Sequence, residues 1–94
     1  MSLNNNDTEV VTICNKRGLH ARASAKFVTL TGTFDAKVTV SKDGTSVCGT
    51  SIMGLMMLAA AIGDQISIHC EGSQKQDALS SLVSLVESKF GEEC

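Results

Sequence analysis

The stretch Ala36-Lys37-Val38-Thr39-Val40-Ser41-Lys42-Asp43-Gly44-Thr45-Ser46-Val47-Cys48-Gly49 decides the fold. Ala36 to Val40 alternate apolar and polar with a period of two, the mark of a strand buried on one face only. Lys42-Asp43-Gly44 is a hairpin signal, so the chain turns back into a partner strand over about Thr45 to Gly49. A hairpin with one dry and one wet face belongs to an antiparallel sheet that other elements cover on one side.

The flanking sequence supplies those elements. On the N-terminal side, Thr8 to Cys14 is β-branched and alternates loosely, which predicts a strand. Lys16-Arg17-Gly18 is a loop, and a helix is expected from about Ala21 to Thr31, stopped at Gly32. On its wheel Ser24, Phe27, Val28 and Thr31 share the buried arc, with Arg22, Lys26 and Thr29 opposite and Ala21 and Ala25 beside them. On the C-terminal side, a second helix starts near Ser51 and ends before Gly63, and Ile66 to Cys70 alternates again. A last helix runs from about Gln74 to Lys89, with Ala78, Leu79, Leu82, Val83, Val86 and Phe90 at core spacing. The order βαββαβα in so short a chain predicts an α+β layer pair, an antiparallel sheet with helices on one face.

At 94 residues the chain is one domain, with residues 1–7 expected to be a disordered polar lead and residues 8–94 the folded unit. An apolar fraction of 43% supports a modest core. No stretch reaches the roughly 18 apolar residues of a membrane span, and no signal-peptide pattern is present. A net charge of −2 and the absence of Tyr and Trp argue against a nucleic-acid binder. Cys14, Cys48, Cys70 and Cys94 lack paired metal-ligand spacing, which leaves structural or incidental thiols, no metal site and a reducing cytoplasm as the expected setting.

Chemistry concentrates in Asn15-Lys16-Arg17-Gly18-Leu19-His20-Ala21-Arg22-Ala23-Ser24-Ala25-Lys26-Phe27. Lys16, Arg17, Arg22 and Lys26 are half of the eight Lys and Arg, and no acid lies between Glu9 and Asp35. His20 falls at or beside the N-cap of the first helix, where free N–H groups and a partial positive charge gather. That field favours a neutral, nucleophilic imidazole and stabilises a phosphate placed on it. Arg22, in the first turn, can donate to phosphate oxygens. Gly18 lets the loop turn sharply before the site. Taken alone, His20 reads first as a cap residue in a basic patch, and it is the second helix that shifts the balance.

The second helix opens with Ser51 at its N-cap and is apolar on nearly every side. Leu55, Leu58, Ala59 and Ile62 form one arc, a candidate core face. Ile52, Met53, Met56, Met57 and Ala60 fall outside it. A small domain cannot easily bury both arcs, so a methionine-rich docking patch is expected, with core filling or a dimer interface as the alternative. Ser51 reads as a plain cap or as a phosphorylation site, since a helix terminus stabilises a phosphate too.

Gly18-Leu19-His20-Ala21-Arg22 and Ser51-Ile52-Met53-Gly54 together resemble the active-site and regulatory-serine motifs of the HPr family, the histidine-containing phosphocarriers of the bacterial phosphoenolpyruvate-dependent phosphotransferase system. His20 and Ser51 are 31 residues apart, as in the family, and the resemblance runs from about Thr8 to Phe90. It implies an open-faced β-sandwich, three helices over a four-stranded antiparallel sheet. It implies a carrier rather than an enzyme, without cofactor, monomeric and not inserted in a membrane. His20 would accept phosphate at Nδ1 from enzyme I and pass it to an enzyme IIA, with Arg22 steadying the group. Ser51 would be the target of HPr kinase/phosphorylase, and Ala21, Ala25, Ile52, Met53 and Met56 the docking surface.

The family usually has proline after the arginine; this chain has Ala23 and no proline anywhere. Proline would preset the first helical turn; alanine is a good helix former and keeps the fold, and the departure puts in question the rigidity of the site and the transfer rate. The Ala-Ser variant and the methionine-rich second helix are more similar to the nitrogen-related, regulatory branch. His69 is expected on the open sheet face, and the Glu92-Glu93 tail in solvent. A small-molecule-binding or protein-binding regulatory α+β domain without phosphotransfer is the competing reading; it accounts for the apolar helix but not for His20 with Arg22.

Overall fold

The computed structural model describes residues 7–92. Its elements are β1 (Thr8–Thr12), α1 (Ala21–Thr31), β2 (Lys37–Lys42), β3 (Thr45–Cys48), α2 (Ile52–Met57), β4 (Gln65–Glu71) and α3 (Lys75–Glu87), closed by a 3-10 turn at Lys89–Gly91. The four strands form one antiparallel sheet in the order β1-β4-β2-β3. β2 and β3 meet through Asp43 and Gly44, both at positive φ (50° and 85°), the two-residue turn whose twist matches that of a hairpin.

The two-residue period sorts the sheet into faces. Val11, Val38, Val40, Ile66, Ile68 and Cys70 point inward and are buried, while Thr39, Ser67 and His69 stand on the other face. His69 lies there as expected, with Thr8 Oγ1 2.7 Å from its Nδ1 and Glu71 Oε2 3.0 Å from its Nε2. α3 packs across β1 and β4 through Ala78, Leu79, Leu82 and Val86, and α1 lies against α2 and α3. Phe27 and Ala23 of α1, Leu55 of α2 and Phe90 complete one core. Burying a side chain of the size of Phe27 contributes about 1.5–3 kcal/mol. Arg22, Lys26 and Thr29 are exposed, and Val28 is half-buried beside Ser24, Phe27 and Thr31.

Several boundaries differ from those read in the sequence. β1 ends at Thr12, because Ile13 leaves the ladder to bond the loop before β4: its N–H donates to Asp64 O (2.8 Å) and its carbonyl accepts from Gly63 (2.8 Å). α2 stops at Met57, six residues before Gly63. Ala59 takes a left-handed conformation (φ 54°), and the Ala60 carbonyl turns to the Leu19 N–H (3.0 Å). The expected core arc is therefore corrected. Leu55 and Leu58 are buried, but Ala59 and Ile62 are exposed and Ala60 is buried instead. α3 ends at Glu87, and Lys89, Phe90 and Gly91 all have positive φ (62°, 55°, 76°). Phe90 does reach the core, but through a chain reversal. Two non-glycine residues in that conformation cost on the order of 1–3 kcal/mol each, which burial of the Phe90 ring offsets.

Asp7, the last residue of the expected lead segment, accepts from the Cys70 N–H (2.8 Å) and pairs with Lys75 (3.1 Å); residues 1–6 of that expectation lie outside the described residues. Cys14, Cys48 and Cys70 are free thiols, Cys94 lies outside the described residues, and burial with the nearby Asp7 charge pushes the Cys70 thiol up. Among the described residues no group of three metal-ligating side chains converges, and no helix is long and apolar enough to cross a membrane.

Candidate functional site

The loop from Asn15 to Leu19 sets the position of His20. Gly18 sits at φ 64°, and a β-carbon there would lie 2.2 Å from the Ala60 carbonyl oxygen, so only glycine allows the loop to press onto the segment after α2. Leu19 then bonds that same carbonyl, and Asn15, fully buried, donates from Nδ2 to Gly18 O (2.9 Å). The loop is fastened at both ends before the helix begins.

His20 is the N-cap of α1, with extended backbone (φ −75°, ψ 179°), and its carbonyl accepts from Ser24 N (2.9 Å). Its side chain makes no capping bond, so the imidazole does not compete for the first-turn N–H groups. Ser51 at the N-cap of α2 behaves oppositely: its Oγ accepts from Gly54 N (2.9 Å). The capping half of the Ser51 reading is thus what the geometry shows. Arg22 is exposed in the first turn of α1, Ala21 is exposed and Ala25 half-buried on the same helix.

Ile52, Met53, Met56 and Met57 are 40%, 69%, 39% and 76% exposed, a contiguous apolar surface on the short helix that packs against α1. Only Leu55 of that helix is buried, because six residues offer a single inward position against the core.

Glu92 and Asn15 enter the site although neither was read from the sequence as a site residue. Glu92, expected in solvent, is half-buried, and its Oε2 bonds His20 Nε2 while its Oε1 accepts from Asn15 Nδ2 (3.2 Å). The bond from His20 chiefly, with smaller contributions from Asn15 and the Arg17 charge, outweighs partial burial and holds the Glu92 carboxyl below its ordinary value. The turn at Lys89–Gly91 aims it there, secured by Lys26 Nζ donating to Phe90 O (2.7 Å). Glu93 lies outside the described residues. The signal for this contact was a large apolar residue and a glycine just past a helix, followed by an acid in a chain whose basic loop lacked one.

An exposed basic helix start beside a half-buried imidazole suits reversible binding of a phosphoryl group. The comparisons agree with that chemistry. The family described as PTS HPr component phosphorylation site matches residues 8–88. Phosphocarrier protein HPr of Cupriavidus necator is 48% identical over 81 residues, 86% of this chain and 91% of that protein. Phosphocarrier protein NPr of Shewanella violacea is 40% identical over 82 residues, 87% of this chain and 90% of that one. The crystal structure of HPr-C-His from Thermoanaerobacter tengcongensis superposes with a TM-score of 0.88 at 41% identity, covering 93% of this chain and 98% of the other. With fold, motif spacing and near full-length similarity in agreement, the chain belongs to the HPr family of phosphocarriers of the phosphotransferase system.

Proposed function

We propose that the protein accepts a phosphoryl group on Nδ1 of His20 from enzyme I and passes it to an enzyme IIA in the cytoplasm, acting as a monomer. The observation that carries this reading is the N-cap geometry of α1. His20 stands at the helix start without capping it, so the free N–H groups of the first turn remain available to phosphate oxygens. Arg22, exposed in that turn, adds a charge-assisted donor. Ser51 is the regulatory site for HPr kinase/phosphorylase. Ala21 and Ala25 of α1 with Ile52, Met53 and Met56 of α2 dock the successive partners, since flexible thioether chains adapt to differently shaped surfaces.

Incubation with phosphoenolpyruvate and enzyme I, read by intact mass, tests the reading. The expected result is one acid-labile addition of +80 Da, lost in His20→Ala and kept in His69→Ala. Undiminished labelling of His20→Ala overturns it.

A further inference from the structure

We infer that Glu92 is a positioning residue for His20: its carboxylate accepts a hydrogen bond from Nε2 and thereby leaves the attacking lone pair on Nδ1. The inference deepens the phosphocarrier reading and rests on it.

A carboxylate is an acceptor only, and a neutral imidazole carries one N–H. A bond between His20 Nε2 and Glu92 Oε2 therefore requires the ring proton on Nε2, and the neutral ring has its free lone pair on Nδ1. Side chains at 14% and 18% exposure leave little water to compete for that bond.

The carboxylate is itself held. Asn15 Nδ2 supplies both of its hydrogens, one to Gly18 O and one to Glu92 Oε1, so two acceptors fix which end of the amide faces the site. The buried Phe90 ring and the Lys26 bond to the Phe90 carbonyl anchor the chain just before Glu92. Arg17 on the loop acts on Glu92, and Lys26 of α1 bonds the Phe90 carbonyl two residues before it.

The same placement serves the transfer step. As Nδ1 attacks, the donor's bond to phosphorus breaks and its electron pair returns to the donor atom. The Nδ1–P bond forms, no proton leaves, and the ring, still carrying Nε2–H, becomes cationic. Glu92 faces that new charge from the nitrogen that does not carry phosphorus, a fixed counter-charge where positive charge develops.

Proton NMR of the full chain in the imidazole N–H region, combined with enzyme I-dependent phosphorylation rates, tests this on wild type, Glu92→Ala and Glu92→Gln. Wild type should show a slowly exchanging, downfield Nε2–H signal of His20. Glu92→Ala should lose it and slow the bound-state transfer step roughly 10-fold, with KM for enzyme I little changed; 10-fold is the lower end of what losing the hydrogen-bonding partner of a metal-bound histidine costs. Glu92→Gln, which still offers an acceptor but no charge, should keep the signal and recover part of the rate. Absence of the signal in wild type, or transfer by Glu92→Ala at the wild-type rate or faster, overturns the inference. Failure of wild type to label at His20 at all would overturn the phosphocarrier reading instead, while the NMR signal still decides whether Glu92 fixes the ring proton.

Discussion

Gly18 and Arg22 each stand two residues from His20 in the chain, and each has its own signature. Gly18 combines a positive φ with no room for a β-carbon against the Ala60 carbonyl. Gly18→Ala should therefore destabilise the domain by more than about 1 kcal/mol and displace the loop, measured by urea unfolding and by amide shifts from Asn15 to His20. A change within experimental error would mean that the loop does not need this close approach. Arg22 is exposed and anchors nothing in the core. Arg22→Ala should alter stability by no more than about 0.5 kcal/mol yet slow phosphoryl transfer, because a charged donor to the phosphate is gone. Wild-type rates would reduce Arg22 to a part of the general basic field. Ala23 in place of the family's usual proline is fully buried, so the position is filled by packing even without a ring to preset the helical turn.

At the scale of elements, α2 is the unusual piece. It is six residues long, capped by Ser51, and leaves Ile52, Met53, Met56 and Met57 exposed. Such a helix is stabilised by its cap and its single buried leucine more than by its own length. Met53→Glu should weaken binding of both enzyme I and HPr kinase/phosphorylase, measured by calorimetry, with unfolding free energy changed by about 0.5 kcal/mol or less. Retained affinity for both partners would place docking elsewhere. Phosphorylation of Ser51 should inhibit transfer mainly at docking. It adds about −1.5 to −2 charges next to apolar side chains that must shed water on contact. Enzyme I affinity should fall while the amide spectrum changes only near α2. Unchanged affinity with a slower bound-state step would move the effect to chemistry, and shifts throughout the sheet would indicate a conformational switch.

For the whole molecule, the decisive contact joins residues 72 apart in sequence, His20 at the head of α1 and Glu92 beyond α3. Its pH dependence has a definite sign. The folded Glu92 carboxyl lies below its ordinary value of 4.5, so the stabilisation is complete above that pH and is lost as pH falls through the depressed folded value. Amides of Ser88 to Glu92 should lose exchange protection in that acid range before those of β2 and β4 do; simultaneous loss would show that the tie is not separable from the core. Strand periodicity, the Asp43-Gly44 turn, the bounds of α1 and the placing of His20 at its start were all legible in the sequence. Each depends on neighbours a few residues apart, whose spacing is set by the two-residue and 3.6-residue periods of the backbone. The early end of α2, the burial of Ala60 rather than Ala59 and Ile62, and the return of Glu92 to the site were not legible. Ala60 is turned by its bond to Leu19, and Glu92 by the reversal at Lys89–Gly91 and the burial of Phe90. A charge pattern assigned Glu92 to solvent because local sequence carries no record of which distant loop a residue will meet. The sequence by itself determined the order of the elements and set His20 at the head of α1, which local backbone preferences and motif spacing specify. Tertiary structure alone decided which carboxylate faces His20, because that partner is chosen by where the packed chain turns back.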